Sequence, residues 1–172
     1  MIRLALKNIE ANGMGGRVGV IEGDIAHPPS DIHDRHFDHV MANPPYMQAH
    51  AGNPPSDPVR ATAMVEGNVG IDVWVSFAAS VLKPKGTLTL VHRAERLPCI
   101  LSALAGRFGG VRIFPLWPGP GLEKPAKRVL VQARKGINAP LSLLPGMVLH
   151  CKDGSFTPEA NSILRDAGAV AI

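Results

Sequence analysis

The run Asn43-Pro44-Pro45-Tyr46 combines groups that could hold a planar amine for chemistry. It follows the apolar stretch 37–42, which predicts a buried strand, and the carboxyl end of a strand is where open α/β sheets bind ligands. The Asn43 side-chain oxygen and the Pro44 carbonyl are two acceptors for the two protons of an NH2 group, because the prolines remove backbone donors and leave carbonyls without ladder partners. The Tyr46 ring offers a face for stacking. The run therefore predicts a site for an sp2 amine.

A plainer interpretation is that Asn-Pro-Pro is only turn chemistry. The chain contains its own comparison, since Asn53-Pro54-Pro55-Ser56 repeats the tripeptide ten residues later. The second copy follows residues 49–52, which predict no strand, and Ser56 has no ring for stacking. We therefore interpret the second copy as a loop and the first copy as functional.

Length and composition predict one globular domain. The chain has 172 residues, of which 45% are hydrophobic and 19% are charged, and both fractions are ordinary for a globular protein. Cys99 and Cys151 are too few and too far apart for a disulfide framework or a zinc site, and the seven His form no ligand-spaced cluster. No apolar run reaches the roughly 18 residues that cross a membrane. We expect a cytoplasmic protein with reduced thiols, no metal and no membrane partner.

Charge is unevenly distributed along the chain. Residues 1–80 carry a net charge of −4, and residues 81–172 carry a net charge of +8. A basic half suits a polyanionic partner, although a solvated surface without a partner explains it equally well.

Hydrophobic periodicity and turn residues predict alternating helices and strands. The first helix presents Ile2, Ala5, Leu6 and Ile9 on one face and ends at Asn12-Gly13. A long loop without clear periodicity follows the Asn43 run. Strands are predicted at 17–22, 37–42, 87–92, 111–116, 128–134 and 147–150, and further helices at 71–82, 97–108 and 158–167.

This order of elements, together with the Asn43 run, resembles the class I S-adenosylmethionine-dependent amino-methyltransferases that carry an NPPY motif. Leu82-Lys83-Pro84-Lys85-Gly86 resembles the turn between the fourth helix and the fifth strand of that fold. Lys127-Arg128-Val129-Leu130-Val131 and the segment 148–160 are similar to the bacterial enzymes that methylate the exocyclic N6 amine of an adenine in valine tRNA.

The resemblance implies an α/β fold with a partial Rossmann-like class I methyltransferase sheet. Residues 1–172 form a single domain, the C-terminal two-thirds of the family's domain, and residues 137–172 form a family-like C-terminal tail. The family opens with a strand, a Gly-rich turn and a second strand ending in an acidic residue, and we find neither strand in the sequence. Gly13-Met14-Gly15-Gly16 follows a helix, so it predicts a helix stop. We expect an N-terminally truncated chain with a sheet gap between strands 17–22 and 37–42, poor cofactor binding, little or no activity, and self-association through exposed sheet edges.

The resemblance also implies roles for individual residues. The side-chain oxygen of Asn43 and the carbonyl of Pro44 accept hydrogen bonds from the two N–H groups of the target amine. Pro45 stiffens the loop, and Tyr46 stacks on the base, so that catalysis is mostly positioning.

The cofactor implied by the resemblance is S-adenosylmethionine. Its predicted contacts are Asp24, Ile25 and Asn43. Asp24 matches the family position that meets the amino group of the cofactor's adenine, although an Asp there also suits a turn or an N-cap.

The predicted function is S-adenosylmethionine-dependent methylation of the exocyclic N6 amine of adenine, with tRNA as the partner. Lys124, Lys127 and Arg128 are the predicted contacts to RNA phosphates, with a solvated hairpin as the alternative. Two other interpretations stay open: methylation of a protein glutamine, whose side chain also ends in a planar NH2, and a non-catalytic RNA-binding remnant. The basic C-terminal half favours nucleic acid over protein.

Overall fold

A computed structural model of the chain describes residues 2–33, 35–45, 69–120 and 124–172. The helices are α1 (Ile2–Ala11), α2 (Ser30–His33), α3 (Ile71–Val81), α4 (Leu97–Leu104) and α5 (Pro158–Arg165), with a 3-10 turn at Ala94–Arg96. The strands are β1 (Phe37–Ala42), β2 (Leu82–Arg93), β3 (Phe108–Trp117), β4 (Arg128–Lys135), β5 (Ser142–Leu143) and β6 (Met147–Val148). No helix in these ranges is long and apolar enough to cross a membrane.

The six strands form one mixed sheet in the order β1-β2-β4-β3-β5, with β6 also pairing with β3. β1 and β2 are parallel, so the chain must cross over between them, and α3 lies on that crossover. β4 runs antiparallel to both β2 and β3. Consequently β1 is at one edge of the sheet, and the carboxyl ends of β1 and β2 lie at the same end as the amino end of β4. We call this the Asn43 end of the sheet.

The main core lies between one face of the sheet and helices α3 and α4. Alternate residues of the strands point to it, as the two-residue period of a strand requires. Leu88, Leu90 and Val131 are each 1% exposed. Val75 of α3 and Ile100 of α4 are fully buried in the same cluster. Burial of this apolar surface is the main favourable term in the stability of the fold.

A smaller apolar cluster covers part of the opposite face of the sheet. Phe114 of β3 and Leu130 of β4 point to this face, because they alternate with residues of the main core. Met147 of β6 and Ala160 of α5 belong to the same cluster. Thr157 caps α5, since its Oγ1 accepts a hydrogen bond from the Ala160 amide at 3.2 Å. The C-terminal tail therefore forms a second layer over this part of the sheet.

Helix α1 is amphipathic, yet none of its residues is buried, and Leu4 is 64% exposed. Its end forms a Schellman motif: the Gly13 amide donates to the Glu10 carbonyl at 3.0 Å and the Met14 amide to the Ile9 carbonyl at 2.9 Å. Gly13 has the positive φ of 62° that this motif needs. The predicted helix stop is confirmed.

The predicted strand at 17–22 is wrong. The amides of Arg17 and Val18 both donate to the Met14 carbonyl at 2.9 Å, so these hydrogen bonds form a turn. Val18 is 42% exposed, and residues 18–23 have no regular secondary structure. The predicted gap in the sheet is therefore also wrong, because every strand from β1 to β5 pairs with its neighbour in the sheet and β1 forms the edge.

The other predicted elements are present; β1 has the predicted bounds, and most of the others have shifted ends. α4 ends at Leu104 rather than at residue 108, because Gly106 turns the chain with a φ of +75° and Phe108 already begins β3. β2 starts at Leu82 and includes the predicted turn before Thr87. α2 and β5 are too short to produce a periodic pattern, so the sequence did not reveal them.

Leu90→Ala should lower the free energy of unfolding by about 2–5 kcal/mol, because it leaves a cavity in the main core. Met41→Ala is the matched control on the neighbouring strand β1. Met41 is 82% exposed, so its truncation should change the stability by no more than about 0.5 kcal/mol. Urea denaturation followed by circular dichroism measures both, and equal losses would contradict the assignment of the core to this face.

Candidate active site

Asn43 follows the last paired residue of β1. Ala42 lies opposite Leu90 of the parallel strand β2, so Asn43 is the first residue beyond this ladder. The residue is exposed, so its surface is open to a ligand. The structure thus places Asn43 at the carboxyl end of a strand in an α/β sheet, which is the usual ligand-binding position.

The two prolines after Asn43 anchor the chain as it leaves β1. Pro44 is less than 2% exposed, and Pro45 is partly buried. Because both rings fix φ, the backbone leaves the strand in a defined direction and holds Asn43 at the strand end. Tyr46 and the second tripeptide at 53–55 lie outside the described residues, so the stacking role of Tyr46 stays a prediction.

Strand β2 brings further polar groups to the Asn43 end of the sheet. His92 is fully buried, and its Nδ1 accepts a hydrogen bond from the Arg93 amide at 2.9 Å. The Arg93 guanidinium forms an ion pair with Glu95 at 2.9 Å. The Ala94 amide donates to the Lys127 carbonyl at 3.0 Å, which ties the end of β2 to the residue before β4.

Asp24 lies in a turn rather than at the end of a strand. Its Oδ1 accepts a hydrogen bond from the Ala26 amide at 2.9 Å, and its Oδ2 is 3.3 Å from His27 Nδ1. The hydrogen bond from Ala26, and after it the one from His27, hold the pKa of the Asp24 carboxyl below its ordinary value. The side chain is 59% exposed, so Asp24 is an ionised and accessible acceptor at neutral pH. Ile25 beside it is partly buried.

Two of the predicted cofactor contacts are accessible acceptors: the carboxylate of Asp24 and the amide oxygen of Asn43 are both on exposed residues. Their roles toward S-adenosylmethionine stay predictions. The glycines near residue 13 are already explained by the end of α1, so they do not supply the Gly-rich turn of a cofactor site. Among the residues that the structure describes, no three His, Cys, Asp or Glu side chains lie close enough together to hold a metal ion.

The predicted phosphate contacts lie at the Asn43 end as well. Arg128 is the first residue of β4 and lies opposite Arg93 of β2. Lys124, Lys127 and Arg128 are all exposed. The fold therefore brings the predicted amine site and the predicted basic residues to the same end of one sheet.

A cavity of about 680 Å³ opens beside Lys124, and the C-terminal tail lines it with His150 and Lys152. His150 Nδ1 lies 3.1 Å from the Pro118 carbonyl oxygen, and its ring stacks on Phe156 with centroids 4.9 Å apart. Sequence reasoning missed His150 and Lys152, because only the pairing of β6 with β3 brings the tail to this position. The basic surface that starts at Lys124 therefore continues into the tail.

Solved structures resemble this chain over nearly its whole length. A predicted O-methyltransferase from Agrobacterium tumefaciens is 27% identical with a TM-score of 0.76, and the match covers 99% of this chain and 73% of that protein. A modification subunit of a putative type I restriction enzyme from Vibrio vulnificus has a similar fold, with a TM-score of 0.51 and 14% identity over 95% of this chain and 38% of that protein. The predicted α/β fold with a partial class I methyltransferase sheet is confirmed.

Comparison of the sequence with known proteins adds the family. No curated protein matches the chain. A model of the N-6 DNA methylase family matches residues 1–97, which are more than half of the chain and include Asp24 and the Asn43 run. The match covers more than half of the chain and includes the candidate site, and the fold is that of a methyltransferase. The chain therefore belongs to the N-6 DNA methylase family of class I methyltransferases.

Proposed function

We propose that the protein transfers a methyl group from S-adenosylmethionine to the exocyclic N6 amine of an adenine in tRNA. The observation that carries the proposal is Asn43, which is exposed at the end of β1 and anchored by the buried Pro44. The family match over residues 1–97 supports an N6 amine as the acceptor. The similarity of segments 127–131 and 148–160 to the enzymes for valine tRNA supports an RNA substrate.

Asn43 acts on the target amine by positioning it. Its side-chain oxygen accepts a hydrogen bond from one N6–H, which turns the nitrogen lone pair toward the methyl group. Pro44, the predicted second acceptor, is less than 2% exposed, so Asn43 is the accessible one of the two predicted acceptors. S-adenosylmethionine supplies an electrophilic methyl group when it is bound. No strong general base is needed, because the amine loses a proton after the transfer.

An amine acceptor fits this site better than a hydroxyl acceptor. The Agrobacterium protein is named as a predicted O-methyltransferase, so the two acceptors have to be distinguished. A hydroxyl has one proton and gains reactivity from a base that removes it. An NH2 group instead has two N–H donors, which need hydrogen-bond acceptors to orient them. The Asn43 amide accepts a hydrogen bond but does not take up a proton. Asn43 therefore favours the amine.

A nucleic acid fits the surface around Asn43 better than a protein glutamine does. Lys124, Lys127 and Arg128 are exposed at this end of the sheet, and Lys152 lines the adjoining cavity. Cations in this arrangement contact phosphates and supply much of the affinity for nucleic acid. Binding of a single glutamine side chain needs no such surface.

Asn43→Ala should lower kcat for adenine methylation by about 100-fold or more, because the amine loses its orientation. The Kd for tRNA should stay within about twofold, since phosphate contacts dominate affinity. Turnover is measured with methyl-labelled cofactor. The expressed polypeptide includes the residues encoded by any in-frame codons upstream of Met1. The matched control is Asn53→Ala in the second tripeptide, which should change neither quantity. Equal losses of turnover and tRNA affinity in Asn43→Ala would show that the residue is structural.

Replacement of Lys124, Lys127 and Arg128 with Ala should weaken tRNA binding. It should also reduce the slope of log K against log salt by up to about 0.7–0.9 for each phosphate that the variant no longer neutralises. The control removes three exposed cations elsewhere, in the triple variant Arg3→Ala, Lys7→Ala and Arg165→Ala. Filter binding over a range of salt concentrations measures both variants. An unchanged slope in the first variant would indicate a solvated hairpin and strengthen the case for a protein substrate.

A further inference from the structure

The sheet face opposite to α3 and α4 has an apolar half and a polar half. Near the Asn43 end the C-terminal tail covers Phe114 and Leu130. Toward the other end the same face is polar, and Gln132 Nε2 donates to Thr89 Oγ1 at 3.4 Å. This polar half is the floor of a cleft of about 690 Å³, a size that is typical of ligand sites.

Backbone contacts build the wall of this cleft. Residues 137–142 pass beside the start of β3, where the Gly110 amide donates to the Ala139 carbonyl at 3.0 Å. Gly109 permits this approach, because a Cβ at that position would overlap the carbonyl oxygen of Ile137. These backbone contacts therefore define the wall of the cleft.

Four cations and one acid line the cleft. Lys83 is paired, since its Nζ lies 2.8 Å from Asp38 Oδ1, and this hydrogen bond holds the pKa of the Asp38 carboxyl below its ordinary value. Lys85, Arg112 and Arg134 are exposed, and none of them has an ion-pair partner among the residues that the structure describes. Three positive charges in one cleft are therefore left without compensation.

The fold holds two of these cations together. Lys85 has a φ of +65°, in the left-handed region that non-glycine residues rarely adopt. Its carbonyl accepts a hydrogen bond from Arg134 Nε at 3.3 Å. This bond orients the planar guanidinium, whose fork geometry matches the oxygens of a phosphate. Backbone strain of this kind is concentrated at functional sites.

The layout of β4 favours a nucleic-acid backbone as the occupant. Arg128 and Arg134 lie at the two ends of β4, on either side of the part that the C-terminal tail covers at Leu130, and the six residue steps between their positions span about 20 Å. Arg128 lies at the Asn43 end, and Arg134 lies in the cleft. A nucleic-acid strand carries phosphates at regular spacing along such a length, whereas a small anion occupies only one end.

We propose that this cleft, which we call the β4 cleft, binds the phosphate backbone of the nucleic-acid substrate while the target base lies at Asn43. The proposal deepens the proposed function and rests on it for the nature of the substrate. The β4 cleft lies at the opposite end of the sheet from Asn43, so its contribution is to affinity and to the direction of the strand.

The test compares two double variants of the purified chain that each remove two positive charges. Arg112→Gln with Arg134→Gln removes them from the β4 cleft, and Arg3→Gln with Lys7→Gln removes exposed charges from α1. Fluorescence anisotropy measures the binding of a labelled oligo-uridine over a range of salt concentrations. Oligo-uridine has the phosphate backbone but no adenine.

The β4 cleft variant should bind oligo-uridine about tenfold more weakly than the parent chain. The slope of log K against log salt should fall by about 1.4, because two phosphates on a single strand contribute about 0.7 each. The α1 variant should keep the affinity and slope of the parent. Arg112→Lys with Arg134→Lys, which preserves the charge, should keep the slope but bind more weakly, because lysine lacks the guanidinium fork. This variant keeps the test decisive if the Gln variant does not fold.

Three results would overturn the proposal that the β4 cleft binds a phosphate backbone. They are no binding of oligo-uridine by the parent chain, equal weakening by both charge-removing variants, and equal competition by poly-glutamate and unlabelled oligo-uridine. The last result would indicate an acidic protein partner. Failure of the proposed function can be distinguished from failure of the β4 cleft proposal, because oligo-uridine contains no target base and its binding does not depend on adenine methylation. Cleft-dependent binding without any adenine methylation would support the β4 cleft and reject adenine methylation.

Discussion

The parallel pairing of β1 with β2 is the constraint on which the rest of the structure depends. A parallel pair requires a crossover, and the crossover places α3 over the face that carries Leu88 and Leu90. The same register sets Ala42 opposite Leu90 and so fixes the point at which Asn43 leaves the sheet. The buried Pro44 then holds the chain there. The core and the candidate site are consequences of one strand pair.

The C-terminal tail determines what the second face of the sheet can do. By packing on Phe114 and Leu130 it closes the apolar half of that face, and it carries His150 and Lys152 to the Asn43 end. The polar half keeps its cations facing the β4 cleft. A chain with net charge +8 over residues 81–172 thus presents basic groups at both ends of β4. This arrangement supports the proposal of an extended, negatively charged substrate.

The sequence predicted those elements whose pattern is local. The alternation in β4, the stripe of α3 and the glycine at the end of α1 each reflect a single element, and all three are confirmed. The stretch 17–22 has strand-forming residues, but a strand also needs a backbone partner, and the Met14 carbonyl accepts the first two amides. The predicted position of Asp24 at the end of that strand is wrong for the same reason. The β4 cleft could not be predicted, since it depends on the approach of residues 137–142 to Gly109.

The most direct measurement is the position of the transferred methyl group. The polypeptide, expressed with the residues encoded by any in-frame codons upstream of Met1, is incubated with methyl-labelled S-adenosylmethionine and tRNA. The nucleosides are then separated and identified by mass spectrometry. Orientation of the amine by Asn43 predicts label in N6-methyladenosine. Label on a ribose or base oxygen, or on a protein glutamine while the tRNA stays unlabelled, would contradict it.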